Sequence, residues 1–108
     1  YDTAVRHGLN IVGILGNDSA WGIDRQIQLG VYGKPVATDL LPTRYDQVVT
    51  GLGGYGEHVE RPDELPGAIQ RAISSGLPAL LNVTVQRAIS PRAEAAVARW
   101  KSRTVQPF

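Results

Sequence analysis

The residues best suited to bind a ligand lie where an apolar run ends. Residues 11–15 (Ile-Val-Gly-Ile-Leu) are followed at once by residues 16–20 (Gly-Asn-Asp-Ser-Ala), which are small or carry oxygen. Such a run predicts a buried parallel strand, and ligands of open α/β sheets bind beyond the carboxyl ends of strands. The side-chain oxygen of Asn17 and the carbonyls of the turn suit Mg²⁺, which is usually shared with a phosphate. The alternative is an ordinary turn in which Asn17 and Asp18 only cap the next helix.

Alternating strands and helices are predicted to position this turn. The pattern predicts strands at residues 10–15, 57–60 and 78–85, and helices at residues 3–7, 21–31, 43–52, 62–74 and 91–103. Thr43 and Asp46, three residues apart, indicate a capping box at the third helix. This order favours an α/β fold in three layers, a parallel sheet with helices on both faces.

Five segments together resemble one enzyme superfamily. Residues 14–22 resemble the second half of the thiamine-diphosphate motif, whose first half is Gly-Asp-Gly. The others follow in the expected order: Leu-Leu-Pro-Thr-Arg-Tyr-Asp-Gln-Val-Val at 40–49, Gly-Gly-Tyr-Gly at 53–56, Pro-Asp-Glu-Leu at 62–65 and Pro-Ala-Leu-Leu-Asn-Val at 78–83. The set is similar to 2-hydroxyacyl-CoA lyases and oxalyl-CoA decarboxylases, and more loosely to acetolactate synthases. It implies that residues 1–85 are the C-terminal part of a thiamine-diphosphate-binding domain and that residues 86–108 are a basic tail.

The resemblance implies that thiamine diphosphate is held through Mg²⁺. Asn17 then ligates the metal through its side-chain oxygen, and Ser19 through its backbone carbonyl. Gly16 and Ala20 complete the cofactor-binding set at this turn. Gly16 stands where the superfamily often has a first asparagine, whereas the ligand position, Asn17, is kept. The remaining protein ligand, the Asp of Gly-Asp-Gly, is expected upstream of this sequence.

The resemblance also implies that the substrate pocket above the thiazolium ring of the cofactor is lined by Trp21, Gly22 and Ile23. A Trp narrows such a pocket and offers an apolar wall with one N–H donor, while Gly22 leaves room for a substituent. The alternative is that Trp21 fills the core between helix and sheet. The activating Glu of the superfamily is expected in another domain, usually on a partner subunit, so no catalytic residue is assigned to this chain.

Charge is distributed unevenly along the sequence. Residues 1–85 carry a formal charge of −3 and residues 86–108 a charge of +4. A basic tail indicates an anionic partner. In CoA-using members of the superfamily the C-terminal segment closes over the nucleotide end of CoA. The resemblance therefore implies that the tail is a lid whose cations bind CoA phosphates: Arg87, Arg92, Arg99, Lys101 and Arg103. The alternative is a solvated, Ala-rich terminal helix.

The resemblance implies an enzyme, a carbon–carbon lyase dependent on thiamine diphosphate and Mg²⁺. It would cleave, or reversibly form, a 2-hydroxyacyl-CoA, giving formyl-CoA and an aldehyde or ketone. We expect it to act within a longer polypeptide that forms a homodimer or homotetramer. Two alternatives remain: a CoA-independent carboligase or decarboxylase of the acetolactate synthase or benzaldehyde lyase type, and a non-catalytic α/β module that binds a partner through its tail.

Composition excludes other classes of site. The sequence has no cysteine, so it forms no disulfide and no cysteine-based metal site. Its two histidines, His7 and His58, are too far apart for a zinc-binding pattern. We find no nucleic-acid-binding motif and no apolar stretch of the length needed to cross a membrane, and we expect a cytoplasmic protein.

Overall fold

The computed structural model describes residues 1–104. These residues form helices and strands in the order α1 (Asp2–Arg6), β1 (Val12–Asn17), α2 (Gly22–Tyr32), α3 (Tyr45–Gly51), β2 (Tyr55–Val59), α4 (Leu65–Ser74), β3 (Ala79–Thr84) and α5 (Pro91–Thr104). A 3₁₀ turn, Pro62–Glu64, leads into α4. Within residues 1–104, no helix has the length and apolar character that a membrane crossing requires.

The chain divides into two compact units, which we describe separately. Unit 1 comprises Tyr1–Asn17 and Thr43–Val85, and it holds the sheet with α1, α3 and α4. Unit 2 comprises Asp18–Pro42 and Gln86–Phe108, and its described part holds α2 and α5. The chain leaves unit 1 for the last time after Val85. The assignment of residues 86–108 as a lid stays a prediction.

The sheet of unit 1 confirms the predicted α/β class. Its three strands are parallel in the order β1-β3-β2, and Asn17 at the end of β1 pairs with Thr84 at the end of β3. Successive residues of a strand point to opposite faces. One face of β3 packs on α4 in an apolar core made of Val59, Ala68, Ala72, Ala79 and Leu81. On the other face, Asn82 donates to Asp46 of α3. Helices therefore cover both faces, as predicted.

Close approach between α3 and β2 depends on a glycine. A Cβ atom at Gly56 would overlap the carbonyl oxygen of Asp46 and lie 2.6 Å from both the carbonyl carbon of Asp46 and Oγ1 of Thr50. Two of these three obstacles belong to the backbone, so a side-chain rotation cannot remove them. Gly56 thus lets α3 bring Asp46 directly against the sheet.

Three local predictions in this unit are wrong. The strand predicted at residues 57–60 begins two residues earlier and ends one residue earlier, as Tyr55–Val59. The strand predicted at residues 10–15 begins and ends two residues later, so Asn17 is the last residue of β1. The capping box predicted from Thr43 and Asp46 does not form, because α3 begins at Tyr45 with Arg44 at its N-cap and no side chain caps it. The carboxylate of Asp46 accepts hydrogen bonds from Arg44 and from the distant Asn82 instead.

Unit 2 is organised around the packing of α2 on α5. The helix predicted at residues 21–31 is confirmed to within one residue, and it ends where Gly33 adopts a left-handed φ of 73°. Gly30 faces Val97 of α5, and a Cβ atom there would lie 3.0 Å from Cγ2 of Val97. Val97 is buried, so the absence of a side chain at residue 30 sets the approach of the two helices.

Candidate functional site

In unit 1, the side-chain amide nitrogen of Asn17 donates to two oxygen atoms. Its Nδ2 donates to Oδ1 of Asn82 at 3.1 Å and to the carbonyl oxygen of Thr43 at 3.1 Å. The amide nitrogen therefore faces Asn82 and Thr43, and Oδ1 of Asn17 lies on the opposite side of the amide. An amide oxygen directed in this way at the carboxyl end of a parallel strand is a suitable ligand for Mg²⁺.

Asn82 and Asp46 extend this hydrogen bonding into the interior of unit 1. Nδ2 of Asn82 donates to Oδ1 of Asp46 at 3.1 Å and to the carbonyl oxygen of Thr43 at 3.3 Å. Arg44 binds the same carboxylate through two nitrogens, at 3.0 and 2.7 Å. The residues form one connected network, Arg44–Asp46–Asn82–Asn17, which we call the amide network.

The amide network is charged at one end and deeply buried in the middle. Asn82 is 1% exposed and Asp46 is 3% exposed, whereas the side chain of Arg44 reaches solvent. The pKa of Asp46 is lowered to about 2, first by the hydrogen bonds from Arg44 and then by the one from Asn82, against a desolvation that raises it. The carboxylate is therefore ionised at neutral pH and can only accept hydrogen bonds.

Sequence reasoning missed the amide network. Its signal in the sequence is Asn82, a polar residue inside the otherwise apolar run Ala79–Val83. A polar residue that is buried in a central strand needs a hydrogen-bonding partner, and this requirement marks Asn82 for attention. Hydropathy alone does not identify that partner, because Asp46 lies 36 residues away.

In unit 2, residues 18–21 form a tight turn that carries two of the predicted cofactor-binding residues. Ser19 has a left-handed φ of 52°, which is uncommon for a residue other than glycine. Oδ1 of Asp18 accepts the backbone N–H of Ala20 at 3.1 Å, so that amide is already bonded within the turn. Asp18 does not cap α2, whose N-cap is Trp21 without a capping side chain. The alternative in which Asp18 caps α2 is therefore wrong.

Arg87 binds this turn, an arrangement that the sequence does not reveal. Its guanidinium donates to the carbonyl oxygen of Asp18 at 2.7 Å, to that of Ser19 at 2.6 Å and to Oδ1 of Asp39 at 2.7 Å. The carbonyl of Ser19 also accepts the N–H of Leu40 at 2.8 Å. A metal ion that used this carbonyl would therefore replace one of these donors. The three oxygens, one of which belongs to a carboxylate, already bind the guanidinium of Arg87.

Asp39 is the acidic centre of the same cluster. Arg25 donates to its Oδ1 at 2.8 Å, and Arg87 binds the same oxygen. The pKa of Asp39 is lowered, first by the hydrogen bond from Arg25 and also by the charges of Arg25 and Arg87, against some desolvation. Asp39 thereby links Arg25 of α2 to Arg87 within unit 2.

The predicted pocket residues Trp21 and Ile23 are exposed. Trp21 is 61% exposed, so the alternative that it fills the core is wrong. Ile23 faces a groove of about 280 Å³ within unit 2 that is lined by Ile23, Ile27, Ser90, Arg92, Ala93 and Ala96. A Cβ atom at Gly22 would lie 2.5 Å from Oδ2 of Asp18, so Gly22 leaves space for that carboxylate. The role of these residues in substrate binding stays a prediction.

The five cations assigned to the lid do not converge on one site. Arg87 binds the turn, and Arg92 lines the groove beside Ile23. Arg99 and Arg103 line a second groove with Ala96 and Trp100, and Lys101 is exposed on α5. A bound phosphate would have to draw these residues together.

Comparisons with known proteins find similar sequences over most of the chain. Residues 1–83 match the family model of the thiamine pyrophosphate enzyme C-terminal TPP-binding domain. The chain is 44% identical over 91 residues to a "Probable acetolactate synthase" of Mycobacterium bovis. The matched residues are 83% of this chain and 17% of that protein.

Relatives with another name match as well. A "2-hydroxyacyl-CoA lyase 2" of Danio rerio is 34% identical over 90 residues, which are 79% of this chain and 14% of that protein. A protein of the same name from Caenorhabditis elegans is 43% identical over 60 residues, which are 56% of this chain and 9% of that protein. The chain thus spans less than a fifth of the length of these relatives.

Proposed function

Because this chain belongs to the thiamine pyrophosphate enzyme family, through the C-terminal TPP-binding domain of that family, we propose that it holds part of the thiamine diphosphate and Mg²⁺ of a longer enzyme. The observation that carries this proposal is the oriented amide of Asn17 at the carboxyl end of β1. We propose further that the enzyme joins two 2-oxo acids. The relative from Mycobacterium bovis, which is named a probable acetolactate synthase, supports this choice.

The residues of the chain fit such a cofactor chemically. Asn17 would ligate Mg²⁺ through Oδ1, because its Nδ2 is engaged by Asn82 and Thr43. Ser19, two residues later, would add its backbone carbonyl after Arg87 or Leu40 gives way. Hard divalent cations take such neutral oxygens together with phosphate oxygens. Gly16 and Ala20 would approach the diphosphate through the backbone, and Ala20 would first exchange its hydrogen bond to Asp18.

The chemistry and the positioning are divided between the cofactor and the protein. When bound, thiamine diphosphate would supply the carbanion chemistry of its thiazolium ring and an electron sink for making or breaking a carbon–carbon bond. Asn17 would anchor the diphosphate end through the metal. Trp21 and Ile23 would bound the space for the substrate side chain and exclude water from it. No residue of the chain takes or gives a proton in this scheme. We propose that an acidic residue of another domain, in a homodimer or homotetramer, does so.

A 2-hydroxyacyl-CoA lyase is the second candidate. Relatives with that name support it, as do the basic residues of α5, Arg92, Arg99, Lys101 and Arg103, which could bind CoA phosphates. Two observations favour the 2-oxo acid enzyme. The 44% identity to the acetolactate synthase extends over 83% of the chain, and Arg87, one of the five proposed lid cations, is occupied by oxygens of unit 2.

Product analysis separates the two candidates. The full-length enzyme with Mg²⁺ and thiamine diphosphate is incubated either with pyruvate or with a 2-hydroxyacyl-CoA, and products are identified by mass spectrometry. We expect acetolactate and CO₂ from pyruvate, and no formyl-CoA. Formyl-CoA together with an aldehyde, and no product from pyruvate, would overturn the 2-oxo acid assignment in favour of the lyase.

A pair of charge variants tests the lid separately. Arg99→Gln with Arg103→Gln removes two cations of α5, and Arg61→Gln removes an exposed arginine of unit 1 as the control. If the enzyme acts on 2-oxo acids, the KM for pyruvate should be the same in both variants and the wild type. A KM for an acyl-CoA that rises only in the α5 variant, and less so at high salt, would support the lid, since salt screens exposed charges.

A further inference from the structure

We propose that Asp46 and Asn82 are positioning residues, which fix the side-chain amide of Asn17 in the orientation that presents its oxygen to the metal ion. The proposal rests on the proposed function, in which Asn17 is a metal ligand. It assigns to α3 and β3 a role in metal binding although neither residue would touch the metal.

The orientation of each group in the amide network follows from the one before it. Arg44 is always protonated and binds both oxygens of Asp46. The ionised carboxylate of Asp46 has no proton to donate, so the neighbouring Asn82 must present Nδ2 to it. The oxygen of Asn82 then faces Asn17, and Asn17 must present Nδ2 in turn. The ion pair between Arg44 and Asp46 therefore determines, through Asn82, which way the amide of Asn17 faces.

The carbonyl oxygen of Thr43 reinforces the same orientation. It accepts from Nδ2 of Asn17 at 3.1 Å and from Nδ2 of Asn82 at 3.3 Å. If the amide of Asn17 turned over, its oxygen would face two acceptors, Oδ1 of Asn82 and this carbonyl. Both hydrogen bonds would be replaced by contacts between lone pairs. The reversed amide is therefore disfavoured before any metal binds.

Burial makes this arrangement costly unless every partner is present. Asn82 and Asp46 are 1% and 3% exposed, and no buried side-chain nitrogen or oxygen among the described residues lacks a hydrogen bond. An apolar residue at position 82 would be simpler to bury than an amide. However, an apolar residue at position 82 could not accept the hydrogen bond from Asn17. Groups that orient a metal ligand commonly change metal affinity by about 10- to 100-fold when they are replaced.

The experiment measures metal binding directly. The full-length enzyme, saturated with thiamine diphosphate, is titrated with Mn²⁺, and free Mn²⁺ is followed by its electron paramagnetic resonance signal. Asp46→Asn keeps the shape of the side chain but allows position 46 to donate, and Asn82→Leu removes the hydrogen bond to Asn17. We expect each variant to raise the Kd for Mn²⁺ by about tenfold, and the double variant by little more, because both act along one network.

A matched variant controls for loss of stability. Glu57→Gln neutralises the carboxylate of another arginine pair in unit 1, Arg71–Glu57, which has no hydrogen bond to the amide network. We expect its Kd for Mn²⁺ to equal that of the wild type even if its melting temperature falls. The positioning role would be overturned if Asp46→Asn and Asn82→Leu lowered the melting temperature but left the Kd for Mn²⁺ at the wild-type value.

A fourth variant separates failure of this proposal from failure of the proposed function. Asn17→Ala removes the proposed ligand itself. If Asn17→Ala weakens Mn²⁺ binding while Asp46→Asn and Asn82→Leu do not, Asn17 is a ligand and the network does not position it. If Asn17→Ala has no effect either, the proposed function fails and the positioning role fails with it.

Discussion

Replacement of Gly56 by alanine should break the contact that carries Asp46 to the sheet. The added Cβ would overlap the carbonyl oxygen of Asp46 and lie 2.6 Å from the adjacent carbonyl carbon. Ordinary contact requires about 3.5 Å, so α3 would have to retreat from β2 by roughly 1 Å. Overpacking of this kind costs typically 1–3 kcal/mol, and a backbone obstacle places Gly56→Ala near about 3 kcal/mol.

Gly51→Ala is the matched control, because it makes the same chemical change in α3 at a position where a Cβ meets no atom within 4 Å. Alanine there should be neutral or should stabilise the helix by up to about 1 kcal/mol. Hydrogen–deuterium exchange of β2 and β3 peptides in the full-length protein measures the effect locally. A loss of about 3 kcal/mol corresponds to roughly 100-fold faster exchange, since 1.4 kcal/mol is a factor of ten. Equal exchange in Gly56→Ala and Gly51→Ala would refute the packing argument.

Three further predictions concern Asp46, Trp21 and Arg87. The pKa of Asp46 is about 2 against an ordinary value of 3.8, so its charged form adds about 2 kcal/mol of stability above pH 4, which is lost as the pH falls towards 2. The stability difference between wild type and Asp46→Asn, measured by urea denaturation, should therefore shrink between pH 4 and pH 2, and a constant difference would contradict the network. Trp21→Ala should cost less than about 1 kcal/mol in a thermal melt, because the side chain is 61% exposed, and a loss of about 3–5 kcal/mol would indicate a core role instead. Arg87→Ala should speed hydrogen exchange of the peptides that contain Asp18 and Asp39, and unchanged exchange would show that its contacts do not stabilise the turn.

The fold was predictable where the apolar pattern and the turn residues indicate the same ends for a strand or helix. The apolar runs that form β1 and β3 indicated both strands, and the alternation of strands with helices indicated a parallel sheet. The end of β1 was placed two residues early, because Gly16 and Asn17 read as a turn whereas pairing with Val83 and Thr84 of β3 extends the strand through them. Pairing across a sheet overrides local preference at strand ends.

The candidate site was predictable only in part. Asn17 could be named because it belongs to a local motif. The amide network could not, since its hydrogen bonds join residues 36 and 65 positions apart. Asp46 was assigned to a capping box because Thr43 stands three residues before it, a local pattern that a long-range partner overrode. Arg87 was assigned to an external phosphate because of its charge and the resemblance to CoA-using enzymes, although oxygens of its own chain are close enough to bind it.

We propose that Asn17 anchors thiamine diphosphate through a divalent cation. Isothermal titration of the full-length protein with thiamine diphosphate, with Mg²⁺ and with EDTA in its place, tests it most directly. We expect binding that requires Mg²⁺, a Kd that rises at least about tenfold in Asn17→Ala, and no change in Asn10→Ala, the exposed asparagine before β1. The role of Asn17 would be contradicted if thiamine diphosphate failed to bind in the presence of Mg²⁺. It would also be contradicted if thiamine diphosphate bound Asn17→Ala as tightly as the wild type.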